Sequence, residues 1–161
     1  MLDDNYDENE RYESASADVN PDAWYANYVN FASSRGYMSG YEDGTYRPDN
    51  TITRAEFASM VSRYIGIDPI DGENRFADID SVPWCSQQIN ALSEAGIVSG
   101  YEDGLFKPSN YVTRAESASI INRALGKEIP ENVLDRIMCP YQDITASHWA
   151  YIDTIIASCE F

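Results

Sequence analysis

An all-α fold built from tandem helix-loop-helix units is predicted by three features of the 161-residue sequence. First, GYEDGTYRPDNTITRAEF (40–57) returns sixty positions later as GYEDGLFKPSNYVTRAES (100–117), with eleven of eighteen letters unchanged. Second, Trp24, Trp84 and Trp149 recur, and four residues before each stands a helix-capping type: Asn20, Asp80 and Thr145. Third, Thr53-Arg54-Ala55-Glu56 and Thr113-Arg114-Ala115-Glu116 have capping-box spacing. In that box the threonine hydroxyl accepts the third N–H of the helix and the glutamate reaches back.

The elements follow in order. Pro21 suits a first helical position, where its missing N–H costs nothing. A helix of about three turns is expected behind each of the first two Trp residues, stopped by Gly36 and Gly96 in left-handed caps. The expected buried stripe is Trp24, Tyr28, Phe31 and Ala32 in the first copy, and Trp84, Ile89, Leu92 and Ala95 in the second. Trp149, Ile152, Ile156 and Ala157 repeat it. Asp43-Gly44 and Asp103-Gly104 mark turns, and Pro48 and Pro108 forbid a helix just before them. Second helices then run from the capping boxes through Phe57, Met60, Val61, Tyr64 and Ile65, and through Ile120, Ile121, Ala124 and Leu125, to Gly66 and Gly126. Phe76-Ala-Asp-Ile and Tyr141-Gln-Asp-Ile open units two and three alike, but the sequence contains no third Gly-Tyr-Glu-Asp-Gly or Thr-Arg-Ala-Glu. The expected organisation is an acidic tail or linker (1–16), a first repeat (17–70), a second (71–130) and a partial third (131–161) holding the Trp-bearing helix alone. The tail is expected to be loosely attached.

Composition narrows the function. With 43% hydrophobic residues the chain can bury a core, and 27 acids against 11 bases leave a net charge of −16. Such a surface repels phosphate backbones and acidic membranes, so nucleic acid and membrane are not expected partners. No apolar run approaches membrane-helix length. Met1 is followed by Leu-Asp-Asp rather than basic and apolar stretches, so no signal peptide is read. The chain is then either cytosolic or a piece of a longer exported protein.

Other signals point to little chemistry. Cys85, Cys139 and Cys159 lack zinc-knuckle spacing and read as idle thiols, although Cys139 and Cys159 could meet if the chain folds back. Asp43, Asp49 and Asn50 lack the closing glutamate of a calcium loop, so they read as a turn. Glu42 with Glu56, or Glu102 with Glu116, could be imagined as a glycosidase pair, but capping and exposure account for them. His148, the single histidine, has no nucleophile or ligand partner in any copy. No catalytic residue, metal or cofactor is expected.

Arg54 and Arg114 are what capping leaves unexplained. Each stands at the first helical position, where the macrodipole disfavours a cation. Two compatible readings stay open, since a structural partner could also position the fork for a ligand. A carboxylate, either Asp43 or Asp103 or one from the neighbouring unit, pairs with the arginine; or the fork is a receptor for an external carboxylate or phosphate.

The frame Phe76–Ile79, Trp84, Gly96–Gly104, Lys107-Pro108 and Thr113–Glu116, with its counterpart one unit earlier, resembles the S-layer homology domain of bacterial cell-surface proteins. The resemblance covers roughly residues 17–161. It implies a pseudo-threefold arrangement around a central three-helix bundle, with loop-helix prongs outside. It further implies non-covalent attachment to an anionic, pyruvate-ketal-bearing secondary cell-wall polysaccharide at the cell surface or S-layer. The present sequence would then be a fragment or mature region tethering a larger exported protein. By match of motif the carboxylate contact falls on Arg54 and Arg114, while Gly40, Asp43, Gly100, Asp103, Trp24, Trp84 and Trp149 are candidates for lining the grooves. In the absence of a third prong, at most two arginine sites exist and one groove is open or remade. Ser117 stands where the first unit has Phe57, which weakens or re-purposes that contact. The rival reading is a structural module for self-association or protein contact, with both arginines in intramolecular pairs.

Overall fold

A computed structural model describes residues 6–14, 16–129 and 139–158. Cys159 lies outside them, and so do residues 130–138. The described chain holds five α-helices: α1 (Ala26–Ser34), α2 (Arg54–Ile65), α3 (Ser86–Glu94), α4 (Arg114–Ala124) and α5 (Tyr151–Ser158). A 3-10 turn covers Ile79–Ser81, and one antiparallel bridge joins Thr53 to Tyr111. The fold is all-α and repeated, as expected.

Local chemistry places most boundaries. Both capping boxes form, with Thr53 and Thr113 accepting from Glu56 and Glu116 N–H and each glutamate returning to its threonine. Gly36, Gly66, Gly96 and Gly126 adopt the positive φ of helix stops. The first helices begin later than predicted. Asn20 accepts from Asp22 N–H at 3.0 Å in a local turn, and α1, α3 and α5 start two residues past each Trp. The tryptophans therefore precede the helices they were expected to anchor, and they are exposed: Trp24 by 84%, Trp84 by 53% and Trp149 by 61%. The buried faces are Ala26, Val29 and Phe31, then Ile89, Ala91 and Leu92, then Thr154, Ile155 and Ile156.

The expected central bundle of three Trp-bearing helices does not form among the described residues. Instead α2 packs on α3 and α4 on α5, with a smaller α2–α4 contact. Each second helix thus covers the first helix of the following unit. A nine-residue helix offers one apolar stripe, and that stripe is already used. The core is correspondingly divided. The main cluster joins Phe57, Ala58 and Val61 of α2 to Ile79, Ile89, Leu92 and Phe106, while Val19, Ala26 and Val29 form a second and Ile129, Ile155 and Ile156 a third.

Among the described residues no second helix lies on α1, and the tail supplies cover. Tyr6 stacks on Tyr28 with ring centroids 5.2 Å apart and meets Phe31 edge-on, also at 5.2 Å. Tyr12 meets Phe31 at 5.0 Å, and Asn27 Nδ2 donates to Glu10 O at 2.8 Å. The described part of the tail, residues 6–14, is packed rather than loose. Buried Asn30 donates to Tyr12 O, while its counterpart Asn90 accepts from Arg75 N–H, so both pin the incoming chain.

The joint between units is made by Arg54, which is only 5% exposed. Its Nη1 lies 2.7 Å from Glu116 Oε1, its Nε donates to Phe106 O at 2.8 Å, and its Nη2 donates to Ser99 O at 3.1 Å. The guanidinium carbon also sits 4.7 Å from the Tyr101 ring centroid and 4.6 Å from that of Phe106. Around it the first N–H groups of α2 find acceptors in the second unit: Arg54 N donates to Asn110 O at 2.8 Å and Ala55 N to Pro108 O at 3.0 Å. Of the two open readings, the structure gives Arg54 the pairing one, with the neighbouring unit's carboxylate.

Removing one partner of a buried ion pair leaves the other charge uncompensated, at about 3–5 kcal/mol. Arg54→Ala is therefore expected to lower unfolding stability by about that much in a denaturant titration. Arg54→Lys is expected to recover only part, because one ammonium cannot span two carbonyls and a carboxylate set apart. A loss within about 0.5 kcal/mol, as for an ordinary surface change, would refute the joint.

Glu116 supplies a pH dependence of known sign. Burial pushes its carboxyl up, but hydrogen bonds from Tyr101 and Thr113 and the charge of Arg54 outweigh that, leaving the value below the usual range. A depressed folded value stabilises above the unfolded carboxylate range, near 4.3, and that stability disappears as pH falls through the folded value. The denaturation midpoint is expected to drop between about pH 5 and 3. Glu116→Gln, weaker at pH 7, is expected to show a shallower drop; equal slopes would exclude Glu116 as a contributor.

Candidate functional site

The loops between the two helices of each unit carry most of the predicted site residues, and an unpredicted carboxylate holds each loop. Asp18 accepts Tyr46 N–H at 2.9 Å and Arg47 N–H at 2.7 Å; Asp78 accepts Phe106 N–H at 2.9 Å and Lys107 N–H at 2.7 Å. Arg47 and Lys107 are the non-glycine residues with positive φ among those described, at 58° and 57°. That backbone conformation is costly for a side-chain-bearing residue and persists where the surroundings fix it. Paired N–H bonds to one carboxylate fix it here, and the same bonds hold the Asp18 carboxyl below its ordinary value. The signal available in the sequence was Ala17-Asp18 and Ala77-Asp78, an aspartate sixty positions apart in the two units and at the same distance before each loop.

Asp43 and Asp103 close the same loops from inside. Asp43 accepts the Thr45 hydroxyl at 2.6 Å and Thr45 N–H at 3.0 Å and pairs with Arg47 at 2.6 Å. These contacts pull its carboxyl down to about 2. Asp103 accepts Leu105 N–H at 3.1 Å and pairs with Lys107 at 2.7 Å. Neither touches Arg54. Gly40 and Gly100 are required by close approach: an added Cβ would lie 2.6 Å from Thr45 O at the former and 2.6 Å from the Phe76 ring at the latter. Gly40 and Trp84 line one cavity of about 750 Å³ beside the first loop.

The two arginines have different surroundings despite identical flanking letters. Arg54 is buried as described, whereas Arg114 is exposed at the start of α4 and makes no hydrogen bond or ion pair among the described residues. Beside it the Thr113–Glu116 box is fully formed, and Ser117, in the place of buried Phe57, is half-exposed and donates to Thr113 O at 3.0 Å. A planar fork next to the unfilled first-turn N–H groups of an eleven-residue helix can take an anion. Among the described residues no group of three or more His, Cys, Asp or Glu side chains is placed to hold a metal ion. Cys85 is buried, with its thiol pushed up to about 12, and His148 Nδ1 accepts Ala150 N–H at 3.1 Å within its own turn. No described helix is long and apolar enough to cross a membrane.

Comparison with known proteins agrees with the repeat frame. The S-layer homology domain model matches residues 17–58 and 75–118. "Cell surface glycoprotein 1" of Acetivibrio thermocellus is 38% identical over 91% of this chain, which spans 7% of that protein. The "Cellulosome-anchoring protein" of the same organism is 30% identical over 84% of the chain, which spans 30% of it. "Middle cell wall protein" of Brevibacillus brevis is 42% identical over 58% of the chain and 9% of its own length. With two family matches covering more than half its length and both carrying the Asp-held loop and the arginine-headed helix, the chain belongs to the S-layer homology domain family.

Proposed function

We propose that this chain is a non-catalytic, non-covalent anchoring module that binds an anionic secondary cell-wall polysaccharide, with Arg114 as its carboxylate contact. The observation that carries the reading is the unpaired Arg114 fork, exposed beside free first-turn N–H groups in a chain of net charge −16. A cation at that helix position has no stabilising local role, since the macrodipole opposes it. A carboxylate, such as that of a pyruvate ketal, supplies what the position lacks: two acceptors for the fork and further acceptors for the N–H groups.

Arg54 positions rather than contacts the glycan in this reading, because its donors are engaged with Glu116, Phe106 and Ser99. Gly40, Gly100, Asp43 and Asp103 shape the loops. Trp24, Trp84 and Trp149 present exposed rings on which sugars can stack. The names of relatives, a cell-surface glycoprotein, a cellulosome-anchoring protein and a cell-wall protein, support a surface location and a larger exported parent. The acidic body makes the contact local, because it repels an anionic polymer at distances beyond a Debye length of about 8–10 Å only weakly in physiological salt.

Sedimentation with purified cell-wall sacculi tests this. The unaltered chain is expected in the pellet, and Arg114→Ala is expected to weaken binding by about 1.5–3 kcal/mol, the range for a hydrogen bond to a charged group. Its unfolding midpoint should stay unchanged, in contrast to Arg54→Ala, and Arg114→Lys should rescue binding poorly. Sacculi stripped of ketals by mild acid should lose the chain if the ketal is the ligand. A chain that stays in the supernatant ends the anchoring reading, and Arg114→Ala binding like the parent ends the assignment of this residue.

A further inference from the structure

Twelve tyrosines stand in this chain, and ring geometry sets one pair apart. Tyr6 of the tail lies flat on Tyr28 of α1, with centroids 5.2 Å apart and planes at 21°. Tyr37 and Tyr64 are as close, at 5.2 Å, but their planes cross at 78°, edge to face. Tyr12 is also near-parallel to Tyr6, at 23°, yet its centroid is farther off, at 6.0 Å. The hydroxyl ends separate the pairs further. The Tyr6 phenol, by its charge and a side-chain hydrogen bond, pushes the Tyr28 phenol above its ordinary value, so the two hydroxyls adjoin. The Tyr12 hydroxyl instead turns back on the tail, where it accepts Asp7 N–H at 3.0 Å.

This arrangement bears on oxidation. A phenol that loses one electron and its hydroxyl proton becomes a phenoxyl radical, whose unpaired electron collects on the ring carbons beside the oxygen. Stacked phenols with adjoining hydroxyls bring such carbons together, and crossed rings do not. The stack is held from several sides. Tyr6 meets Phe31 edge-on at 5.2 Å, Asn27 Nδ2 donates to Glu10 O at 2.8 Å and reaches the Tyr6 hydroxyl at 3.5 Å, and buried Asn30 donates to Tyr12 O at 3.3 Å. It is also within reach of solvent, since Tyr28 is 49% exposed and Tyr6 half-buried. The described thiols that would intercept an oxidant lie elsewhere: Cys85 is in the main core and Cys139 packs on the third cluster.

We propose that Tyr6 and Tyr28 form a modification site, a pre-aligned pair that a haem peroxidase with hydrogen peroxide couples into a dityrosine. Each phenol gives up one electron and one proton, and the peroxide takes two of each to become two waters. The two radicals join by a new carbon–carbon bond between ring positions beside the hydroxyls. The hydrogens on the joined carbons leave as protons while the oxygens take protons up, so both phenols are restored and the chain loses two hydrogens in all. The consequence is mechanical. Noncovalent contacts alone hold the tail on α1 before the reaction; afterwards residue 6 is tied to residue 28, and the closed loop restricts the unfolded chain as a disulfide does. The proposal is independent of the glycan reading at Arg114.

Trypsin makes the product easy to read. Cleavage at Arg11 and Arg35 releases residues 1–11, with Tyr6, and residues 12–35, with Tyr12, Tyr25 and Tyr28. After treatment of the dilute, intact chain with a haem peroxidase and hydrogen peroxide, these two peptides are expected as one joined species, two hydrogens lighter than their sum. Tyr28→Phe keeps the stacked ring but has no phenolic proton, so it should abolish that species, as should Tyr6→Phe. Tyr12→Phe and Tyr25→Phe should leave it. The same treatment in concentrated urea should yield little of it, because the fold supplies the alignment. The cross-linked chain should unfold several degrees higher than the untreated one. Absence of the joined species, its survival in Tyr28→Phe, a link between two chains, equal yield in urea or an unchanged unfolding midpoint overturns the proposal.

Discussion

A single guanidinium makes two repeats into one folded object. Arg54 leaves the head of α2, crosses to the second unit and is enclosed there by a carboxylate, two carbonyls and two rings. A cation at a helix's first position is opposed by the macrodipole, so its placement makes sense only through what lies across the joint. Desolvating it is costly, and the cost is met only if every acceptor is in place. That requirement explains the loop's rigidity: the glycine that lets chains approach, the aspartate that ties two N–H groups, and the capping box that fixes Glu116 at 9% exposure.

Local features were legible in the sequence because local chemistry decides them. The capping boxes, the glycine stops, the turns and the all-α class depend on residues within a few positions of one another. Burial of the tryptophans was misread for the opposite reason. Periodicity says that a helix has an apolar face but not where the helix begins, and because α1, α3 and α5 start two residues past each Trp, the Trp falls outside the stripe in the preceding turn. The tail was misread because its acids outnumber its apolar residues, while two tyrosines suffice to cover Phe31. Most instructive is the pair Arg54 and Arg114. Their flanking letters are the same, so no local pattern separates them; the difference lies in what packs on each, the second unit's loop on Arg54 and no described residue on Arg114.

Repeat arrays have neighbour interactions and ends. Here each unit presents a head, the arginine of its second helix, and a seat, its loop and first helix. One joint uses the head of the first unit and the seat of the second. Among the described residues the second head, Arg114, is a cation beside open N–H donors, whereas the first loop borders a cavity lined by Glu56, Arg47 and Arg63.

Charge is distributed differently around the two copies of the motif. The cavity beside the first loop is lined by Glu56 together with Arg47 and Arg63, so it presents both signs. The head of α4 presents Arg114 and the positive end of the helix, a single sign. The apolar groove adds a further distinction, since Phe31 and Ala32 of α1, Met60 of α2 and Tyr6 of the tail line it and offer a hydrated polysaccharide little to hydrogen-bond. The repeated motif is the same in both units, so the contrast between buried Arg54 and exposed Arg114 comes from what packs against each rather than from the motif itself.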